Sequence, residues 1–143
     1  MISARVKRLA LIVLGPLVVL GGAELAFRVF DIGFPTSFLI PRDIDGRRVY
    51  VDNQFFGYRF FPQRMTRTPA AIVIEKKKAP DVVRIFVLGE SAAMGEPQSE
   101  YGLGRFLEIL LADRVPGKRF EVVNAAMTAI NSHVIAEIAR DLA

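Results

Sequence analysis

Fifteen consecutive residues without a charge, Leu9 to Ala23, set the first limit on how this chain of 143 residues can fold. The run follows Arg5, Lys7 and Arg8, with no acid among the first eight residues, and continues past Glu24 through Leu25, Ala26 and Phe27 to Phe30. Leu9 to Phe30 makes 22 residues, enough for a helix to cross the ~30 Å of bilayer hydrocarbon. Glu24 and Arg28 stand four apart in the order that favours pairing on a helix, near the end of the segment, where charges reach the interface. The sequence therefore predicts a single-pass anchor over residues 9–30 behind a basic flank over 1–8. Basic flanks stay cytoplasmic, so the bulk of the chain is expected outside the cytoplasm: an inner-membrane protein with a periplasmic domain, its first partner the lipid bilayer. A cleaved signal peptide is the rival, because Gly21-Gly22-Ala23 supplies the small residues of a cleavage site. Both readings export the remainder. A soluble buried helix comes third, given Gly15, Pro16 and the lack of a polar face.

A mean hydropathy of +0.33, high for a soluble domain, agrees with a membrane segment. With no cysteine there is neither a disulfide framework nor a thiolate metal site, and no motif implies a cofactor or a metal. Residues 31–80 read as an extracytoplasmic connector with short strands of its own. Pro35, Pro41 and Pro62 break helices, while Arg47–Val51 and Phe56–Phe61 have strand composition, with Asp52-Asn53 as the turn between them. Between Arg42 and Lys78 nine basic residues face four acidic ones. Their interleaving with Tyr50, Phe55, Phe56, Tyr58, Phe60 and Phe61 resembles a base-stacking surface, but an exported segment beside a membrane meets anionic headgroups instead. No nucleic acid is expected.

Residues 81–143 carry the clearest periodicity. Val82 to Leu88 is apolar except for Arg84, rich in β-branched residues and bounded by Ala79-Pro80 and Gly89, the pattern of a strand covered on both faces. Leu103, Phe106, Leu107, Leu110 and Leu111 form an apolar stripe at helical spacing, with Ser99 as a candidate cap and Pro116-Gly117 as a stop. Phe120 to Val123 is a second strand, and the strand-helix-strand order implies a parallel βαβ unit. Ile135, Ile138, Ala139 and Leu142 begin another helix, capped by Asn131 or Ser132. Neither Gly-x-Gly-x-x-Gly nor a phosphate loop is present. Reactive groups of parallel sheets sit just past the carboxyl ends of the strands, which is where Ser91 stands. A loop serine bonded to its own backbone is the commoner occupant of such a position.

Arg84-Ile85-Phe86-Val87-Leu88-Gly89-Glu90-Ser91 and, further on, Phe120-Glu121-Val122-Val123-Asn124-Ala125-Ala126 resemble the first two sequence blocks of the SGNH/GDSL hydrolase superfamily. The resemblance implies that Ser91 is the nucleophile and that the backbone N–H groups of Ser91 and Ala126 form an oxyanion hole. Glu90 replaces the family's aspartate, and Ala126 stands where the family has glycine. The third block, with its oxyanion asparagine, and the last, an Asp-x-x-His, are not among these residues. His133 is the sole histidine, with Ile130 rather than an acid three residues before it. His133 as base to Ser91 is nevertheless one expectation.

The chain thus reads as an α/β protein: one transmembrane helix ahead of the N-terminal part of an SGNH-like (flavodoxin-like) three-layer parallel-sheet domain, 81–143, truncated before the later blocks. Two parallel strands alone leave their faces uncovered. The resemblance implies ester hydrolase or deacetylase chemistry in a complete protein, on an acylated envelope glycan or a small ester, and little activity in these residues alone. Two alternatives stand beside it: a non-catalytic membrane-tethered binding or assembly module of the cell envelope, and an envelope polysaccharide O-acyltransferase.

Overall fold

A computed structural model of the chain describes residues 4–143; positions 1–3 of the expected basic flank lie outside them. The chain divides into two compact units, one ending at Phe34 and the other spanning Pro35–Ala143. The first is a single helix, α1, Ala4–Val29, with Pro16 inside it. Its stretch Arg8–Val29 has a mean hydropathy of 2.2 with nothing buried against protein, long and apolar enough to cross a membrane. Arg28 Nε lies 2.7 Å from Glu24 Oε1. The helix closes with the Ile32 N–H on the Phe27 carbonyl at 2.8 Å and Asp31 at φ 54°, a left-handed residue of the kind that ends helices by capping their last carbonyls.

The second unit begins with an antiparallel sheet in the order β1-β2-β3, from β1 (Leu39–Ile44), β2 (Arg47–Asp52) and β3 (Val73–Glu75). Asp45 and Gly46 join the first two strands at φ 52° and 75°, the two-residue turn whose twist matches that of its flanking strands. Pro41 lies within β1, which pairs only with β2, and an edge strand tolerates the missing N–H. The strand expected at Phe56–Phe61 is not one: Phe56–Arg59 forms a 3₁₀ turn. Its cause is Asn53, fully buried, whose Oδ1 accepts the Phe55 N–H at 3.0 Å while Nδ2 donates to the carbonyls of Pro35 and Ser37 at 2.6 and 2.8 Å. An asparagine bonded to the backbone two residues on winds the chain into a turn. Gly57 completes the bend, because a Cβ there would lie 1.8 Å from Thr66 Oγ1. Asp52-Asn53 therefore ends β2 instead of joining two strands.

β4 (Val82–Val87) and β5 (Arg119–Asn124) pair in parallel from Val82↔Arg119 to Val87↔Asn124. Between them run the short helix α2 (Ser91–Met94) and α3 (Leu103–Arg114). Ser99, expected to cap α3, belongs to a separate 3₁₀ turn, Ser99–Tyr101, and Gly102 takes the cap position without a side-chain bond. α3 lies on one face of the pair, where Gly104 is so close that a Cβ would touch Val122 and Val87 at 3.6 and 3.8 Å. The other face belongs to the core, with α4 (Ser132–Leu142) and residues from the 35–80 segment expected as a connector: Phe38, Phe56, Ile72 and Ile74 join Val123, Met127, Val134 and Ile138. Asn131 caps α4, its Oδ1 accepting the Val134 N–H at 3.2 Å. The protein is thus mixed α/β: an N-terminal apolar helix, a three-stranded antiparallel sheet and a two-stranded parallel pair.

Candidate functional site

Ser91 opens α2 at the end of β4, after the link Leu88-Gly89-Glu90. Gly89 is required where it stands, because a Cβ would fall 2.4 Å from the Ala93 Cβ; this lets α2 fold back tightly on the strand. α2 lasts one turn. Gly95 at φ 87° stops it, with its N–H and that of Glu96 on the Ser91 carbonyl at 3.0 and 3.2 Å. Ser91 is half-buried, and its N–H lies in the first turn, where helix geometry provides no intrahelical acceptor.

The loop after β5 is laced to this turn by one side chain. Asn124 Nδ2 donates to the Met94 carbonyl at 2.9 Å and more weakly to that of Ala93 at 3.4 Å, while its Oδ1 accepts the Ala126 N–H at 3.2 Å. The Met127 N–H on the Gly89 carbonyl, at 3.1 Å, adds a backbone tie. Ser91 and Ala126 thus stand on two loops joined through Asn124. Ala126 is fully buried, and its N–H is already satisfied by Asn124. The Asx pattern Asn-x-Ala, legible as Asn124 two residues before Ala126, was the available signal for this brace.

Sequence reasoning passed over Glu96. Thr128 Oγ1 donates to Glu96 Oε1 at 2.6 Å and lies 3.2 Å from the Met94 sulfur, so a carboxylate joins the loops beside Ser91. His133 is exposed in the first turn of α4, its ring edge-on to Phe60 at a centroid distance of 6.0 Å. Among the described residues no hydrogen bond joins it to Ser91, and no three His, Cys, Asp or Glu side chains converge as a metal site would need.

A cavity of about 670 Å³ opens beside β1, β2 and β4, lined in part by Leu39, Tyr50, Lys78, Arg84 and Phe86; Ser91, Ala126 and His133 are not in its wall. The cations there have partners: Lys78 Nζ donates to the Val82 carbonyl, and Arg84 reaches Glu121 and the Glu75 carbonyl. Arg84 is thus paired with an acid, whereas Lys78 is bound only to a neutral carbonyl. What the Ser91 region provides is a hydroxyl on a tight strand-helix turn, an adjacent backbone donor and a side-chain brace. No protein-family model matches the chain, and no curated protein or solved structure is detectably similar to it.

Proposed function

We propose that this chain is a membrane-anchored, extracytoplasmic module with SGNH/GDSL-like serine chemistry, its β4-α3-β5 unit the start of a three-layer, flavodoxin-like parallel sheet. The observation that carries this reading is the placement of Ser91 on a one-turn helix directly after a parallel strand, braced by Asn124 to the loop that holds Ala126. In this chemistry the Ser91 Oγ bonds to the carbonyl carbon of an ester or acetyl group, on a small ester or an acylated envelope glycan. The oxyanion receives the Ser91 and Ala126 N–H groups, the latter shared with Asn124. The carbon–oxygen bond to the alcohol then breaks, and water releases the acyl group from Ser91. The serine proton passes to a base, which returns it to the leaving alcohol; the resemblance assigns that base to an Asp-x-x-His block that these residues do not include. α1 holds the module in the bilayer, with its basic end cytoplasmic.

The test is a fluorophosphonate probe applied to the native protein in membranes of its source cell, so that the serine is probed together with any base supplied from beyond these residues, with the labelled residue located by mass spectrometry. Labelling of Ser91 that is lost on unfolding in urea and absent from Ser91→Ala supports the reading. Equal labelling of folded and unfolded protein, or none at Ser91, ends it. The bound state of the Ala126 N–H favours one second reading, a non-catalytic envelope binding or assembly module; an O-acyltransferase would share the serine chemistry and differ only in the acceptor that replaces water.

A further inference from the structure

α3 carries two apolar faces where a helix packed on a sheet needs one. Gly104, Leu107 and Leu111 turn toward the parallel pair and are buried or half-buried. Leu103, Phe106, Ile109 and Leu110 lie on the other side, each half or more exposed, and Tyr101 extends the patch at its N-terminal end. At 100° per residue these four helical positions fill a continuous arc of about 120°. Arg105 borders it, paired with Glu108 at 2.9 Å, and Arg114 and Lys118 lie past its end. Asp113 falls within the arc two turns beyond Phe106 and lies 3.6 Å from Arg114.

The covalent chain supplies the occupant. Val29 is the last residue of α1 and Phe38 the first buried residue of the second unit, so eight residues separate a membrane-spanning helix from the core of the folded domain. Fully extended, that tether reaches about 30 Å, a limit that holds for any orientation. An apolar helix face lies in a membrane interface with its side chains in the acyl boundary; Arg105 and Arg114 are paired with Glu108 and Asp113, and Lys118 beyond the helix is the cation that can meet an anionic headgroup. The tether holds the domain as a whole within that reach of a bilayer, so its exposed apolar faces meet lipid at a high effective concentration.

We infer that the outer face of α3, centred on Phe106 and Leu110, rests on the anionic surface of the membrane in which α1 is anchored. The inference depends on the anchor reading of α1 and not on Ser91. It gives the domain a second membrane contact besides the span.

The absence of cysteine allows a direct test. Phe106→Cys and Leu110→Cys, each spin-labelled in the full chain, are reconstituted into vesicles of phosphatidylethanolamine and phosphatidylglycerol. Collision with oxygen, which concentrates in lipid, is compared with collision with a water-soluble nickel chelate. Lys77→Cys, at an exposed position, serves as the aqueous reference, and Val18→Cys, inside the span, as the lipid reference. The expected result is that oxygen dominates at Phe106 and Leu110, reversing the ratio seen at Lys77. Chelate dominance at both positions overturns the inference, and low access to both reagents overturns it in favour of a protein partner or a second copy on this face. A chelate-accessible Val18 label would instead defeat the anchor reading and with it the premise. Both substituted side chains are exposed, so neither variant removes a core contact.

Discussion

The two faces of the β4-β5 pair are held by different means. On one, Phe38, Phe56, Met127 and Ile138 are entirely withdrawn from solvent, and Phe56 meets Phe38 edge-to-face at 5.1 Å. On the other, α3 buries Gly104, half-buries Leu107 and Leu111 and leaves Phe106 more than half exposed. Strand alternation places Asn124 on this second face with Val122, and its hydrogen bonds tie the α2 turn to β5. One face is closed by apolar burial; the other depends in part on a polar brace. The strand and helix pattern resembles a parallel α/β unit, yet the densest core of the molecule lies where the antiparallel strands of the 35–80 segment pack, together with α4.

The largest expected effect tests that asymmetry. Phe56→Ala should lower the stability of the detergent-solubilised protein by about 3–5 kcal/mol, from lost transfer energy and the cavity left behind. Phe106→Ser, on the outer side of α3, should change it by less than about 1 kcal/mol. Urea midpoints for the two variants compare them directly, and equal losses would break the distinction between the faces. Next in size is Asn124→Ala, which strands the Ala126 N–H and the Met94 carbonyl. Leaving a buried N–H and a half-buried carbonyl unpaired should cost about 1–3 kcal/mol. Amide exchange should rise at Ala126 while the amides of α4 keep their protection. Loss of protection in both at once would mean that the polar brace and the apolar core form one cooperative unit.

Much of the second face was legible in the sequence, and much of the first was not. β4, β5 and α3 follow local rules: an unbroken apolar run, a second one, and a heptad-like stripe between them. The stripe is split in the fold: Leu107 and Leu111 turn toward the sheet, Leu103, Phe106 and Leu110 point outward, and Gly104 is in close contact with the sheet. Periodicity identifies an apolar side but cannot say which neighbour covers it. On the first face, Phe56–Phe61 has strand composition, and its winding depends on Asn53, a long-range hydrogen-bonding residue that holds the carbonyls of Pro35 and Ser37. β1 was obscured by Pro41, although Asp45-Gly46 is a strong hairpin signal and an edge strand accepts a proline. β3 is three residues long, too short for any period to show. For the site, Ser91 and Ala126 were placed by motif, whereas Asn124 as a brace and Glu96 as the partner of Thr128 follow from loops meeting in space.

A smaller effect sharpens the picture of the packed face. Ala129 sits at φ 58°, exposed, in the tight turn that lets Met127 and Ile130 both reach the core. A left-handed alanine carries a strain of about 1 kcal/mol that glycine does not. Ala129→Gly should therefore raise the urea midpoint, reflecting a gain of about 0.5 kcal/mol in stability once glycine's extra chain entropy is offset. A lowered midpoint would show that the turn is not strained and that the loop gains more from alanine's restricted unfolded state than it loses in the fold.

The smallest effect lies where β4 and β5 begin. Arg119 Nε and Nη2 donate to the two Asp81 oxygens at 2.7 and 3.0 Å, a two-point pair in full solvent. The Arg119 hydrogen bond holds the Asp81 carboxyl below the ordinary aspartate range. A carboxyl whose pKa is depressed by folding stabilises the fold above its unfolded pKa, near 4, and loses that contribution as pH falls toward the folded value. Stability should thus decline on acidification below about pH 5 partly through this pair, and Asp81→Asn should flatten that portion of the curve while leaving the neutral-pH midpoint almost unmoved. Because both groups are exposed, added salt should shrink the difference further. If Asp81→Asn instead lowers the midpoint at neutral pH as much as Asn124→Ala does, the strand ends, rather than the Asn124 brace, hold the parallel pair together on the α3 side.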